Sequence, residues 1–176
     1  MKKLVAATAV IAMFSFTQGA FAQTAPGGSG TIKFTGEIVA GACGISPGTA
    51  DQTVPLGQVP VSLFTNAGDR SSPESFDIVL TDCNTAVAGT AKFTFSGQAP
   101  VAKPDLFAVN GGAQNVGLRL QASNGDNLNN GVIQANEIKL QNGDNTVTFS
   151  AMYEAITADV VPGEADATTN FIVTYL

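Results

Sequence analysis

An all-β sandwich or barrel is the architecture that three features of this sequence predict. Short apolar runs alternate with a period of two, Asn-Gly dipeptides punctuate them, and no segment carries a sustained 3.6-residue apolar stripe with helix caps. Alternation places successive side chains on opposite faces of a strand, and Asn and Gly tolerate the positive φ that tight turns require. No internal repeat or second domain is visible, and the length suits one domain.

The amino-terminal end is expected to lie outside that fold. Lys2 and Lys3 supply a positive start, residues 4–16 an apolar stretch, and Ala20-Phe21-Ala22 a small-x-small cleavage site. A secretory signal peptide over residues 1–22 is expected, with cleavage after Ala22. The apolar run is short for a bilayer span, so no stable membrane insertion is expected. Residues 23–29 then form a short Gly- and Pro-containing leader.

Strand candidates follow in order. Residues 30–36 place Ile32 and Phe34 on one face and Thr31, Lys33 and Thr35 on the other. Gly36 separates them from a second extended stretch, 37–42, that runs into Cys43. Residues 53–59 are interrupted by Pro55 and Gly57, which predicts an irregular or edge strand. Phe76, Ile78 and Leu80 alternate ahead of Cys83, residues 91–97 put Phe93 and Phe95 together, and 116–122 align Val116, Leu118 and Leu120. Residues 132–140 are a weaker candidate. Val147, Phe149, Ala151 and Tyr153 give a clear strand, and Phe171, Val173 and Tyr175 share one face of a last strand ending at Leu176. Asn-Gly occurs at 110–111, 124–125, 130–131 and 142–143, mostly between these runs, where it favours hairpin connections.

Composition excludes several functions. The chain has 8 Lys and Arg against 14 Asp and Glu, and loss of Lys2 and Lys3 takes the net charge from −6 to −8. An acidic chain without a basic cluster is a poor match for nucleic-acid phosphates or anionic lipid, so no nucleic-acid partner is expected. Cys43 and Cys83 are the only cysteines, and an even count in an exported chain reads as one disulfide. With no histidine and no Cys-x-x-C spacing, a metal or redox pair is the weaker alternative. Closing that loop contributes roughly 4 kcal/mol in the chain-entropy model.

Catalysis is not expected, because histidine, the commonest general base, is absent. Asp77 and Asp82 are the best carboxylate pair, yet both flank an apolar alternating run, where solvated or turn positions are the simpler reading. The stretch 124–131 resembles a calcium loop but offers only Asp126 as a carboxylate, so it reads as an Asx-rich turn and no metal or cofactor is expected. The loop 157–168, with Pro162, Gly163 and the acids Asp159, Glu164 and Asp166, reads as a solvated surface loop.

A terminal strand of large apolar side chains needs something to hold it. Alternation does not distinguish a strand partner in the same chain from one in another. For Ile32 and Phe34, alternation alone favours the first strand of a closed sandwich over a spare strand outside the domain.

Several motifs bear on that choice. They are Gly36-Glu37-Ile38-Val39 before Cys43, Asp51-Gln52-Thr53-Val54-Pro55-Leu56-Gly57-Gln58-Val59, Ile78-Val79-Leu80-Thr81-Asp82-Cys83, and Pro162-Gly163 through Ala165-Asp166-Ala167-Thr168, leading to a strand with a penultimate tyrosine. In this order the chain resembles the chaperone–usher pilins, closest to the major structural subunit of type 1 fimbriae. The resemblance implies an incomplete immunoglobulin-like β-sandwich lacking its final strand, with an N-terminal donor-strand extension at 23–36 and a pilin domain at 37–176.

It also implies a non-enzymatic fimbrial shaft subunit that polymerises by donor-strand exchange and supports bacterial surface adhesion. Gly30, Ile32 and Phe34 would form the donor strand, Gly30 fitting a shallow part of the groove. Phe171, Val173, Tyr175 and Leu176 would form the acceptor groove and chaperone-binding strand, with the Leu176 carboxylate held by basic chaperone residues. The implied partners are further copies in a homopolymer, a periplasmic chaperone, an outer-membrane usher, and adaptor or tip pilins. Export would run through the periplasm to a surface fimbrium. The alternatives are a minor tip or adaptor pilin, or a monomeric secreted β-sandwich binding domain. A receptor-binding adhesin is disfavoured, since such subunits carry an additional lectin domain.

Overall fold

The computed structural model describes residue 28 and residues 30–176. The expected signal peptide, and the 23–29 leader apart from Gly28, lie outside the described residues. The chain divides after Glu37. Residues 30–37 have no regular secondary structure, and Ile32 and Phe34 are 77% and 87% exposed. The strands expected at 30–36 and 37–42 are therefore not formed. A strand without a ladder leaves its N–H and C=O groups to water and gains nothing from extension.

From Ile38 onward the chain builds two sheets. One contains β1 (Gly44–Ile45), β2 (Glu74–Cys83), β8 (Gly143–Ala155), β5 (Val116–Ala122) and β4 (Phe107–Ala108) in that spatial order, with β6 (Asn127–Leu128) also pairing β5. The other runs β7 (Ile138–Lys139), β3 (Thr90–Gly97), β9 (Thr169–Tyr175). All pairings are antiparallel. A single helical turn, α1 (Pro47–Ala50), and a 3-10 turn (Val61–Leu63) lie between β1 and β2.

The inward faces are those that alternation predicts. Ile78, Leu80, Leu118, Leu120, Phe149 and Ala151 face Ala91, Phe93 and Phe95 across the core. Phe149 sits at its centre, with ring centroids 5.0 Å from Phe93, 5.1 Å from Phe95 and 5.7 Å from Phe76. The Phe93 and Phe95 pairs are edge-to-face, and such packing adds about 1 kcal/mol per pair beyond area burial.

Cys43 and Cys83 form the expected disulfide. Strict alternation from Leu80 would turn Asp82 inward and Cys83 outward. A register shift between Leu80 and Cys83, with Asp82 at φ 53°, exchanges those fates. The bulge leaves Asp82 exposed and buries Cys83 against its partner.

Four expectations change in detail. Residues 53–59 form no strand, and of 132–140 only Ile138–Lys139 does, helped by an isolated bridge between Ile133 and Thr94. All four Asn-Gly glycines take positive φ, but only 110–111 and 124–125 join paired strands; the other two carry the chain between sheets. At 124–125 the Asp126 amide donates to Asn124 Oδ1 at 3.1 Å, the Asx turn read from sequence. The loop 157–168 is not merely solvated, because bridges from Val161 to Gln114 and from Asp166 to Asn110 pin it to the segment before β5.

Candidate functional site

The second sheet ends at β9, which has β3 on one side and no strand on the other among the described residues. Across the groove from that edge lies the segment 53–59, which has no regular secondary structure. Pro55 and Gly57 weaken its strand character, and none of its backbone groups pairs with another backbone group among the described residues. Gln52, just before it, reaches the Asp77 carbonyl with its side-chain amide at 3.0 Å and holds the segment beside β2. The sandwich thus has two walls carrying unused hydrogen-bonding groups.

Between the walls lies a groove of about 580 Å³. Its floor is Phe76, Ile78, Phe95, Leu118, Leu120 and Ala151, with Val54 and Leu56 on one side and Phe171 on the other. The groove continues into a second cavity of about 500 Å³ lined by Val59, Val61, Phe64, Val116, Val160 and Val161. Gly57, Tyr153, Ala165 and Asp166 line both. Tyr153 marks the junction: its hydroxyl donates to the Ala165 carbonyl at 2.8 Å, and burial, with the Asp166 charge, raises its pKa. The loop 157–168 therefore lines the site.

The acceptor residues expected from sequence are divided by the fold. Phe171, Val173 and Tyr175 share the inward face of β9, but only Phe171 lines the cavity. Tyr175 is covered at the far end, where its hydroxyl donates to the Cys43 carbonyl at 3.2 Å. Leu176 is 55% exposed, and its backbone exchanges hydrogen bonds with Thr90. Gly30, Ile32 and Phe34 belong to the separate unit before Ile38.

On the outer face of the first sheet lies a buried charge cluster that sequence reasoning missed. Glu154 and Arg119 are 1% and 2% exposed and joined by Arg119 Nε to Glu154 Oε2 at 2.9 Å. Arg70 Nε adds a bond to the same carboxylate at 2.8 Å, Lys103 pairs with its other oxygen, and Arg119 also donates to Asp105 Oδ2 at 2.6 Å. Burial alone would raise the Glu154 pKa, but the Arg119 and Lys103 hydrogen bonds and nearby positive charge hold it at about 2. Arg119 between Leu118 and Leu120, and Glu154 after Tyr153, carry a sequence signal only once β5 and β8 are known to be neighbours.

A two-layer antiparallel sandwich with an apolar groove between unpaired edges defines an incomplete, immunoglobulin-like domain. Similarity to known proteins agrees with that class. The family model described as "Fimbrial protein" matches residues 32–176. The chain is 37% identical over 181 aligned residues to "Fimbrial subunit type 1" of Salmonella typhimurium, covering 98% of each chain. It is 38% identical to "Type-1 fimbrial protein, A chain" of Escherichia coli, again covering 98% of each. Among solved structures, a subunit of a chaperone–usher pilus described as revealing the basis of rod uncoiling is 30% identical, with a TM-score of 0.74 over 88% of this chain and 100% of the other. The P pilus rod subunit PapA is 28% identical, with a TM-score of 0.67 over 77% of this chain and all of PapA.

The chain belongs to the fimbrial protein family. It is a structural subunit of a surface fimbrium and assembles with other pilins; neither a minor tip or adaptor pilin nor a secreted monomeric binding domain is favoured.

Proposed function

We propose that this subunit builds the fimbrial shaft by donor-strand exchange, with residues 23–36 as the donor extension and 37–176 as the acceptor domain. A periplasmic chaperone holds the groove first, and at the outer-membrane usher the next subunit's extension replaces it. The completed fibre then carries adaptor or tip pilins. The observation that carries this reading is the pair of unpaired walls, β9 and residues 53–59, over an apolar floor. A strand between them satisfies both walls, and such strand addition by pilins is a known recognition mode.

The groove's shape supports one donor register. A strand antiparallel to β9 enters beside Tyr175 and advances toward Thr169, the Tyr153 junction and the second cavity. Setting Gly36 at the junction places Ile32 and Phe34 over the 580 Å³ groove and Ile38, fully exposed in the single chain, in the 500 Å³ cavity. Gly30 then meets the shallow end closed by Tyr175. Setting Gly30 at the junction instead would leave only Pro26 and Gly28 to fill the larger groove. The contact face thus extends two residues past the boundary expected at Gly36. Each of Ile32, Phe34 and Ile38 then contributes about 2 kcal/mol of burial.

The test is Phe34→Asp with export of the chain followed. Loss of surface fibres while exported subunit persists is expected. Fibres of normal length from this variant would contradict the donor assignment.

A further inference from the structure

We propose that Tyr175 is a positioning residue for the fibre: its seat on Gly41 and Cys43 fixes the point from which the amino-terminal extension starts, and so sets the twist between successive subunits. The inference rests on the strand-exchange reading above.

Three consecutive residues at the root of the extension are each held by another part of the domain. The Gly41 backbone lies under the Tyr175 ring so closely that an added Cβ would come within 2.8 Å of Cε2 and 3.2 Å of Cδ2. The Ala42 carbonyl accepts from the Asn84 amide at 2.9 Å. Cys43 is bound to Cys83, and its carbonyl accepts from the Tyr175 hydroxyl at 3.2 Å. Ala42 and Cys43 are both 4% exposed, whereas Ile38 is 100% and Val39 53% exposed. The fixed backbone therefore ends at Gly41.

Everything amino-terminal to that point acts as a lever. From Gly41 to Ile32 an extended chain reaches roughly 30 Å. A rotation of about 10° at its root would move the far end by roughly 5 Å, more than the spacing between neighbouring residues of a strand. Tyr175 also terminates β9, the wall that receives a neighbour's strand. One side chain thus joins the strand that accepts a donor to the root of the donor delivered onward.

Gly41→Ala tests this, because the added methyl displaces a ring edge rather than backbone and Gly41 lies outside the groove. Fibres of this variant, examined by helical reconstruction from electron micrographs, are expected to form with an altered twist per subunit. Adding Tyr175→Leu, a smaller side chain that gives way to the methyl, is expected to return the twist toward wild type. Tyr175→Phe, which keeps the ring and loses the hydroxyl bond, is expected to give a smaller shift in twist. A residue important only for stability would lower the subunit's unfolding midpoint and leave the twist alone. Wild-type twist in both Gly41→Ala and Tyr175→Phe fibres would overturn the proposal, as would a double variant no closer to wild type than Gly41→Ala. Failure of the underlying reading looks different: Phe34→Asp chains would then assemble whatever their twist.

Discussion

Tyr153 and Glu154 are neighbours on β8 that face opposite sides of one sheet. On the Glu154 side, Arg119, Arg70 and Lys103 converge on a single buried carboxylate and close the outer face. On the Tyr153 side lies the junction of two cavities, with an edge strand that has no second partner among the described residues. The same strand is thus completed on one face from within the chain and left open on the other. Burying an ion cluster is costly, so these charges sit where every partner comes from the same chain. The apolar groove stays open in the single chain, while Ile32 and Phe34 are left in solvent.

The largest effect that can break this contrast comes from the proposed donor. Phe34→Asp should abolish polymer while leaving the monomer's urea-unfolding midpoint unchanged, because Phe34 is 87% exposed in the single chain. A shift in that midpoint would mean that Phe34 belongs to its own domain's core.

The closed face should respond in the opposite way. Glu154→Ala leaves Arg119 buried without its main partner, and should cost about 3–5 kcal/mol in equilibrium urea unfolding. Acid provides a gentler version of the same change. The Glu154 carboxyl titrates at about 2 in the fold against an ordinary 4.5, so its contribution is complete above pH 4.5 and is lost as pH falls toward 2. Thermal unfolding followed over that interval should fall more steeply for the native chain than for Glu154→Gln. Equal slopes would remove Glu154 from the account of acid stability. The smallest effect is expected at the junction, where Tyr153→Phe loses one hydrogen bond to Ala165 and about 1 kcal/mol of stability.

What could be read from sequence divides along similar lines. β5 was legible to the residue, because 116–122 alternates cleanly and buries Leu118 and Leu120 inside the domain. The inward faces of β2, β3, β8 and β9 were legible for the same reason. Residues 30–42 carry as good a pattern yet form no strand here, since alternation records a face to be buried and not the chain that buries it. Pro55 and Gly57 announced the irregularity of residues 53–59 but not the absence of a strand, and their place as a groove wall depends on what lies beside them. The loop 157–168 looked solvated because its acids dominate its composition; its role comes from backbone bridges to Asn110 and Gln114 that no local pattern encodes. The Glu154 cluster was hidden because its members are distant in sequence and meet only through the β5–β8 register.

The most direct test is amide hydrogen exchange along residues 53–59, compared between assembled fibres and the Phe34→Asp chain as a monomer. These amides have no backbone partner among the described residues. If a neighbour's strand completes the sandwich, they should exchange rapidly in the monomer and become strongly protected in the fibre, together with the free edge of β9. Equal exchange in the two states would contradict strand insertion between these walls.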